Sequence, residues 1–231
     1  VASGSVSSAV AVGDLNGDGK LDIATVSSGT SAVRVYNNTT SSSGATPTFS
    51  SVTTLLGTPS TPVAVEIADL DDDGRLDIIV AGSVASNNVV IFHNTFLLGF
   101  VALLQTFSAG TNPSALTIGD LDKDGNPDIV VANRGSNNVT VLYNQFTLLS
   151  LLTFSSAVTL NVGTAPTAVG LGDFDNDGLL DIAVANSGSN SISTLRNTSV
   201  PGTLSFVAQS DVSVVLPNVW TKIKVFLSVF S

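Results

Sequence analysis

The chain has 231 residues and a formal charge of −10, with 43 % hydrophobic but only 11 % charged residues. This length suits one ordinary domain with a real core, and the acidic balance disfavours binding to nucleic acids or to anionic membrane surfaces. The absence of Cys excludes disulfides and thiolate sites, so we expect any metal to be held by oxygen. The longest apolar run, residues 96–104, is too short to span a bilayer. Because the sequence begins at Val1 and contains no Met, we expect a processed product or a fragment.

One acidic segment of nine residues occurs four times along the chain, with starts that are 55, 51 and 53 residues apart. Such a period is typical of propeller blades or of stacked repeats. All but three of the 18 acidic residues lie at the repeated positions; the exceptions are Glu66, Asp72 and Asp211. The net charge is therefore a property of these segments.

The segments have the composition of cation-binding loops, because carboxylates so close together repel one another unless a cation neutralises them. Acidic or amide side chains occupy positions 1, 3 and 5, and Asp occupies position 9, while the variable position 7 can offer its main-chain carbonyl oxygen. Gly at position 6 permits the sharp turn, and oxygen ligands in this number favour calcium over magnesium. The predicted ligands of about four calcium ions, one per repeat, are Asp14, Asn16, Asp18, Lys20, Asp22, Asp69, Asp71, Asp73, Arg75, Asp77, Asp120, Asp122, Asp124, Asn126, Asp128, Asp173, Asp175, Asp177, Leu179 and Asp181.

Two other interpretations of the loops were weighed. An EF-hand shares the first six positions but requires Glu at position 12, where this chain has Thr25, Val80, Val131 and Val184. An acidic turn without metal would also use Asp and Gly, but four copies with one ligand spacing disfavour it.

Strands, not helices, are predicted around the loops. Short β-branched runs precede each loop (9–12, 63–67, 115–118 and 168–171) and follow it (23–26, 78–81, 129–132 and 182–185). A third strand is predicted at 32–36, 89–92, 139–142 and 192–195, each followed by a repeated Asn, and a fourth stretch contains Phe49, Phe107, Phe154 or Phe206. Four antiparallel strands in each of four repeats predict an all-β fold, a β-propeller of four-stranded antiparallel blades.

The loops and strands resemble the FG-GAP and VCBS repeat families, whose calcium-loop blades also build integrin α-chain heads and some lectins. The shared core runs from Gly13 to Ile23, from Gly119 to Ile129 and from Gly172 to Ile182, whereas the second repeat has Ala68 in place of Gly. The resemblance covers roughly residues 5–212. It implies a secreted or surface-attached propeller stabilised by calcium, with ligands at loop positions 1, 3, 5 and 9 and the carbonyl of position 7.

We expect residues 1–212 to form one propeller-type domain of four repeats, approximately 5–56, 57–109, 110–160 and 161–212. Residues 213–231 read as a C-terminal strand, because apolar residues alternate from Trp220 to Phe230. This strand either packs onto its own domain or pairs with a sheet edge of a neighbouring copy. The turns 96–104 and 146–154 are apolar, which predicts either an interface for self-association or longer buried strands.

Candidates for catalysis are few once the loops use their carboxylates, and His93 reads as a surface residue. The sequence therefore predicts a secreted, extracellular or cell-surface protein that is not an enzyme. Its expected role is that of an adhesive or structural subunit that self-associates into a larger assembly or filament. The alternative is a monomeric calcium-dependent lectin that binds a glycan or surface protein.

Overall fold

The computed structural model describes residues 7–50, 53–57, 61–82, 87–95, 99–102, 106–147, 152–155, 158–208 and 210–214. All regular structure within these ranges is β-strand. The chain divides into two compact units, Val1–Phe107 and Ser108–Ser231, and each contains two antiparallel sheets. The prediction of an all-β fold with four-stranded antiparallel blades is confirmed at this level.

The first unit contains the sheets of repeats one and two. The first sheet has the order β1 (Ser7–Gly13), β2 (Asp22–Ser27), β3 (Thr30–Tyr36) and β4 (Thr53–Leu56). The second has the order β5 (Pro62–Ala68), β6 (Asp77–Gly82), β7 (Asn88–Thr95) and β8 (Gly99–Ala102), and the short β9 (Phe107–Ser108) also pairs with β7.

The second unit repeats this arrangement. Its first sheet has the order β10 (Pro113–Gly119), β11 (Asp128–Asn133), β12 (Asn138–Leu142) and β13 (Val158–Asn161). Its second sheet has the order β14 (Pro166–Gly172), β15 (Asp181–Asn186), β16 (Ser191–Asn197) and β17 (Phe206–Ala208), and β18 (Val212–Ser213) pairs with β16.

The second strand of each sheet carries the core because it is sheltered on both faces. All six residues of β6, β11 and β15 are buried, which explains their continuous β-branched runs. In the first unit, Val26, Val80 and Phe92 belong to one apolar cluster, and in the second unit Val130 and Ile182 belong to another. Each cluster draws on both sheets of its unit, so burial holds the two sheets of a unit together.

The first three predicted strands of every repeat are confirmed, and in the fourth stretch Phe107 and Phe206 begin β9 and β17. Phe49 and Phe154 form isolated bridges with Asn38 and Asn144, and the strand begins after them. In the second repeat the fourth strand is Gly99–Ala102, inside the segment predicted as an apolar turn. Part of 96–104 is therefore a paired strand, which agrees with the alternative of a longer strand.

A register shift marks the start of the first strand in every sheet. Three of these strands begin with Pro, which lacks a main-chain donor. The second residue of the first strand carries a hydroxyl in three repeats, as Ser8, Ser114 and Thr167. These hydroxyls donate to carbonyl oxygens of the second strand at 3.2, 3.2 and 3.4 Å. A hydroxyl thus replaces a main-chain bond at the irregularity.

Each of the segments predicted for self-association, 96–104, 146–154 and 213–231, is described only in part. Leu152 and Phe154 of the second apolar turn are buried, with 6 % and 7 % exposed, whereas residues 148–151 are not described. The C-terminal segment is described only to residue 214, where β18 pairs with β16 at Ser191 and Ile192. Self-association through any of these segments stays a prediction.

Candidate metal centres

Each acidic segment forms the hairpin loop between the first and second strands of its sheet. Gly at position 6 has a positive φ of 81°, 81°, 92° and 85° in the four repeats, at Gly19, Gly74, Gly125 and Gly178. The left-handed backbone there is what glycine accommodates without strain, as predicted from the spacing.

The carboxylate at position 1 organises the loop by accepting main-chain donors. Its Oδ2 accepts the N–H of position 6 at 2.7, 2.8, 2.9 and 2.8 Å in the four repeats. The carboxylate at position 5 accepts the N–H of position 7 at 3.0, 2.8, 2.8 and 2.9 Å. These bonds curl the chain so that the side chains of alternate positions converge.

The Asp at position 9 is the first residue of the second strand and is buried in every repeat. Its Oδ2 accepts the N–H of position 2 at 3.0, 3.3, 3.0 and 2.9 Å. Its Oδ1 accepts the N–H of the repeated Asn at the end of the third strand at 2.7, 2.8, 2.8 and 2.7 Å. This carboxylate ties the loop to two strands, a role that the spacing alone does not reveal.

Burial of the position 9 carboxylate carries an electrostatic cost. Burial raises the pKa of Asp128 to about 7, although the N–H groups of Asn144 and Leu121 oppose the shift. The pKa of Asp77 is raised to about 7 for the same reason. A cation beside these groups would stabilise their charged forms at neutral pH.

The structure brings predicted ligands together in three of the loops. In each of these loops, oxygen atoms of three carboxylates lie within 4.8 Å of one another. In the second loop the three are at positions 1, 3 and 5: Asp69, Asp71 and Asp73. In the third and fourth loops they are at positions 1, 3 and 9: Asp120, Asp122 and Asp128, and Asp173, Asp175 and Asp181. The first loop has Asn16 at position 3, and its amide oxygen accepts the N–H of Asp18 at 2.9 Å. The residues present fit a hard divalent cation, because their donors are carboxylate, amide and main-chain oxygens.

The residue before each repeated Asn lies beside the acidic loop, a contact that the sequence did not predict. It is Asn37, His93, Tyr143 or Arg196, and in three repeats its side chain reaches the acidic loop. Tyr143 Oη donates to Asp124 at 3.0 Å, and Arg196 Nε donates to Asp175 at 2.5 Å. Only the position of this residue, at the end of the third strand, could have indicated its contact with the loop. The residue type differs in every repeat and gives no pattern.

The loops differ in how many of their carboxylates form ion pairs with Lys or Arg side chains. Arg196 pairs with Asp175 and with Asp177, where its Nη2 lies 3.2 Å from the carboxylate, so a guanidinium occupies the fourth loop. Lys20 pairs weakly with Asp18 at 3.6 Å, and Arg75 pairs with Asp73. Within the described part of the chain, the third loop has no ion pair.

A cavity of about 280 Å³ lies beside the fourth loop. Its lining combines an aromatic ring, two carboxylates, a hydroxyl and a guanidinium, contributed by Phe174, Asp175, Asp181, Thr194 and Arg196. Phe174 follows position 1 of the loop and is 49 % exposed. The cavity therefore offers an apolar wall and charged groups to a small ligand.

A family model for FG-GAP-like repeats matches three overlapping stretches of the chain, residues 14–80, 69–131 and 120–184. Together they cover well over half of its length. The chain belongs to the FG-GAP-like repeat family. Each matched stretch begins at position 1 of one loop and ends in the second strand after the next loop, so the family signal coincides with the candidate metal centres.

Solved structures share the fold of this FG-GAP-like repeat protein. A periplasmic gluconolactonase from Pseudomonas aeruginosa matches with a TM-score of 0.59 and 20 % identity, over 88 % of this chain and 53 % of its own. Proteins from Bacteroides fragilis and Bacteroides uniformis, provisionally assigned as 6-phosphogluconolactonases, match with TM-scores of 0.60 and 0.59 and identities of 18 % and 17 %, over 88 % of this chain and 54 % of theirs. The chain thus spans about half the length of these proteins.

These likenesses correct the predicted function. The sequence predicted a non-catalytic adhesive or structural subunit, or a lectin, and no enzyme. Solved proteins with this fold are named lactonases, so the exclusion of catalysis is wrong. The exclusion rested on the small number of candidate residues left once the loop carboxylates are assigned to metal binding.

Two other comparisons add little to the assignment of this FG-GAP-like repeat protein. A search of curated proteins finds no significant match. No helix in the described ranges has the length and the apolar character that crossing a bilayer requires.

Proposed function

We propose that the chain binds calcium at its four hairpin loops and that the bound ions stabilise the blades. The observation that carries the proposal is the convergence of carboxylate oxygens to within 4.8 Å in three loops, in the absence of enough protein cations to balance them. Side chains at positions 1, 3, 5 and 9 and the carbonyl of position 7 would hold each ion. Four divalent ions would change the formal charge from −10 to −2.

Neighbouring residues of the second loop provide a matched test. Asp73 is at position 5, whereas Asp72 is an exposed residue at position 4 whose φ of 53° Asn also tolerates. Asp73→Asn should remove one calcium equivalent in titration calorimetry or weaken one site at least about tenfold, since a charged ligand is lost. Asp72→Asn removes the same charge and should leave the stoichiometry unchanged.

Chelation gives an independent readout. Ions that bind only the folded chain raise its melting temperature by mass action, so excess chelator should lower it markedly. An unchanged melting temperature in chelator, or equal effects of Asp72→Asn and Asp73→Asn, would refute the calcium assignment.

The cavity beside the fourth loop supports hydrolysis of a sugar lactone as a second candidate function, by analogy with the lactonases of the same fold. In this reaction the oxygen of water adds to the lactone carbonyl carbon, the ring C–O bond breaks, and a proton passes to the ring oxygen. In a fourth loop without calcium, Asp175 can accept the proton of water, and Arg196 can stabilise the charge that develops on the carbonyl oxygen.

The test of this candidate is acid release from glucono-1,5-lactone and from its 6-phosphate, measured against buffer. Arg196→Gln should abolish the added rate, whereas Arg134→Gln, in the exposed turn after β11, should not change it. A rate equal to that of buffer would eliminate lactone hydrolysis and leave the calcium proposal untouched.

Export of the protein from the cytoplasm is also proposed. It is supported by the periplasmic location named for the Pseudomonas aeruginosa neighbour. Fractionation of cells that make the protein would test it, since recovery with cytoplasmic markers alone would contradict export.

A further inference from the structure

The second loop differs from the others because an imidazole faces its carboxylates. His93 Nε2 lies 2.8 Å from Asp71 Oδ2, and the ring is 20 % exposed. One ring nitrogen of His93 and one carboxylate oxygen each of Asp71 and Asp77 lie within 4.8 Å of one another. The sequence contains no other His, so this combination of nitrogen and oxygen donors occurs once in the chain.

An unsatisfied oxygen points to a missing ligand at this place. The Asp71 side chain is nine-tenths buried, with 10 % of its surface exposed. Its Oδ1 is buried and has no hydrogen-bond partner among the described residues. A buried carboxylate oxygen without a partner is costly, and a cation is the partner that would remove the cost.

The corresponding positions of the other repeats hold side chains of different chemistry. They hold Asn37, Tyr143 and Arg196, which offer an amide, a phenol and a guanidinium. Each of the latter two reaches its loop as a hydrogen-bond donor. Only the imidazole can present a neutral nitrogen lone pair to a metal ion at this position.

We propose that the second repeat binds a transition-metal ion of the zinc class through His93 Nε2, Asp71 and Asp77. The inference deepens the proposed function, since it assigns a second class of ion to one of the four loops. Asp71 also belongs to the carboxylate group of Asp69 and Asp73, so the transition metal and calcium compete for it.

The ligand set and its surroundings match what such ions require. Zinc sites combine His nitrogen and carboxylate oxygen at about 2.0 to 2.2 Å, which places tetrahedral ligands about 3.4 Å apart. A modest opening of the contact between His93 and Asp71 reaches this separation. The carboxylate of Asp77 accepts the main-chain N–H groups of Asn94 at 2.8 Å and Leu70 at 3.3 Å, and these bonds fix its orientation. Three protein ligands leave a fourth position for water.

The single imidazole makes the first test direct. Nuclear magnetic resonance of the ring nitrogens and carbon-bound protons reports on His93 alone in the native sequence. One equivalent of Zn²⁺ added to metal-free protein should shift these signals, and Co²⁺ should displace them by a paramagnetic shift. Ring signals that stay in place while Zn²⁺ binds elsewhere would overturn the proposal.

Matched variants test the same site by affinity. His93→Asn installs the residue that the first repeat has naturally, and Tyr143→Asn makes the same change in the third repeat. His93→Asn should weaken the tightest Zn²⁺ site by roughly ten- to a hundredfold in titration calorimetry. Tyr143→Asn should leave that site unchanged, and equal losses in both variants would overturn the proposal.

The calcium titrations separate this inference from the proposed function. His93→Asn should retain the calcium stoichiometry of the native protein, because the oxygen ligands remain. If calcium fails to bind while Zn²⁺ shifts the His93 signals, the proposed function fails and this inference holds. If calcium binds four loops while the ring signals ignore Zn²⁺ and Co²⁺, this inference alone fails.

Discussion

Two asparagines at the ends of third strands join neighbouring sheets. Asn94 Nδ2 donates to the carbonyl of Leu15 at 3.0 Å, and Asn197 Nδ2 donates to the carbonyl of Leu121 at 2.6 Å. Each acceptor is position 2 of the preceding loop in the same unit. The main-chain N–H of the same Asn binds the position 9 carboxylate of its own loop, so one residue links two candidate metal centres.

Asn197→Ala should destabilise the protein by about 1 to 3 kcal/mol, because the buried carbonyls of Leu121 and Leu180 lose their donor. Asn38→Ala is the matched control: Asn38 is half-buried, and its Nδ2 donates to Leu21 in its own loop at 3.1 Å. Denaturant unfolding of both variants measures the difference. An equal loss in the two would contradict a bond that joins the sheets.

The buried carboxylates predict an unusual pH dependence without metal. The folded pKa of Asp128 is about 7, above the unfolded value of about 3.9, so the folded chain binds this proton more tightly. Its contribution to stability is complete below the unfolded pKa and is lost as the pH rises through 7. Asp77 acts in the same direction.

Thermal unfolding in chelator should therefore show a lower melting temperature at pH 8 than at pH 5. Saturating calcium should remove or reverse this trend, because the ion requires deprotonated ligands. If the melting temperature of the metal-free protein rises from pH 5 to pH 8, burial does not raise the pKa of the position 9 carboxylates as expected.

At the scale of the element, the hairpin loops were predictable because all their ligands lie within nine residues. The positions that share a role also share a residue type, so the pattern was visible at Asp69 to Asp77 without any structure. His93 and Arg196 were missed because they reach the loops from the end of the third strand, and each repeat has a different residue there. The fourth stretch was located only coarsely, since Phe107 and Phe206 begin strands whereas Phe49 and Phe154 pair only as isolated bridges.

Occupation of the fourth loop by Arg196 should weaken its calcium site, because the guanidinium and the ion compete for Asp175 and Asp177. We expect Arg196→Gln to raise calcium affinity at one site by up to about fivefold, the range of an exposed ion pair. Titration calorimetry measures the change, with Arg134→Gln as the control. A weaker site in Arg196→Gln would show that the arginine positions the ligands instead.

Across the whole molecule, the negative charge is concentrated in four places. The repeat period and strand pattern predicted four blades, since each repeat has its own buried second strand. They did not predict the cavity beside the fourth loop. Its lining residues come from the loop, the start of β15 and β16, so no spacing along the sequence indicates that they lie together.

Carboxylate repulsion predicts that salt stabilises the metal-free protein. Raising potassium chloride from about 0.01 M to about 1 M shortens the screening length from about 30 Å to about 3 Å, which weakens repulsion within and between loops. The melting temperature in chelator should rise over this range, and that of the calcium-saturated protein should change less. Equal changes in melting temperature with and without calcium would show that salt does not act by weakening repulsion between the loop carboxylates.

The irregular starts of the first strands have a consequence for solubility. β1, β5, β10 and β14 are edge strands of their sheets, and an unpaired edge can recruit a strand from another molecule. Prolines at 62, 113 and 166 withhold a main-chain donor, and a register shift interrupts the strand pairing beside each. Both features disfavour the pairing of these edges with a strand of another molecule.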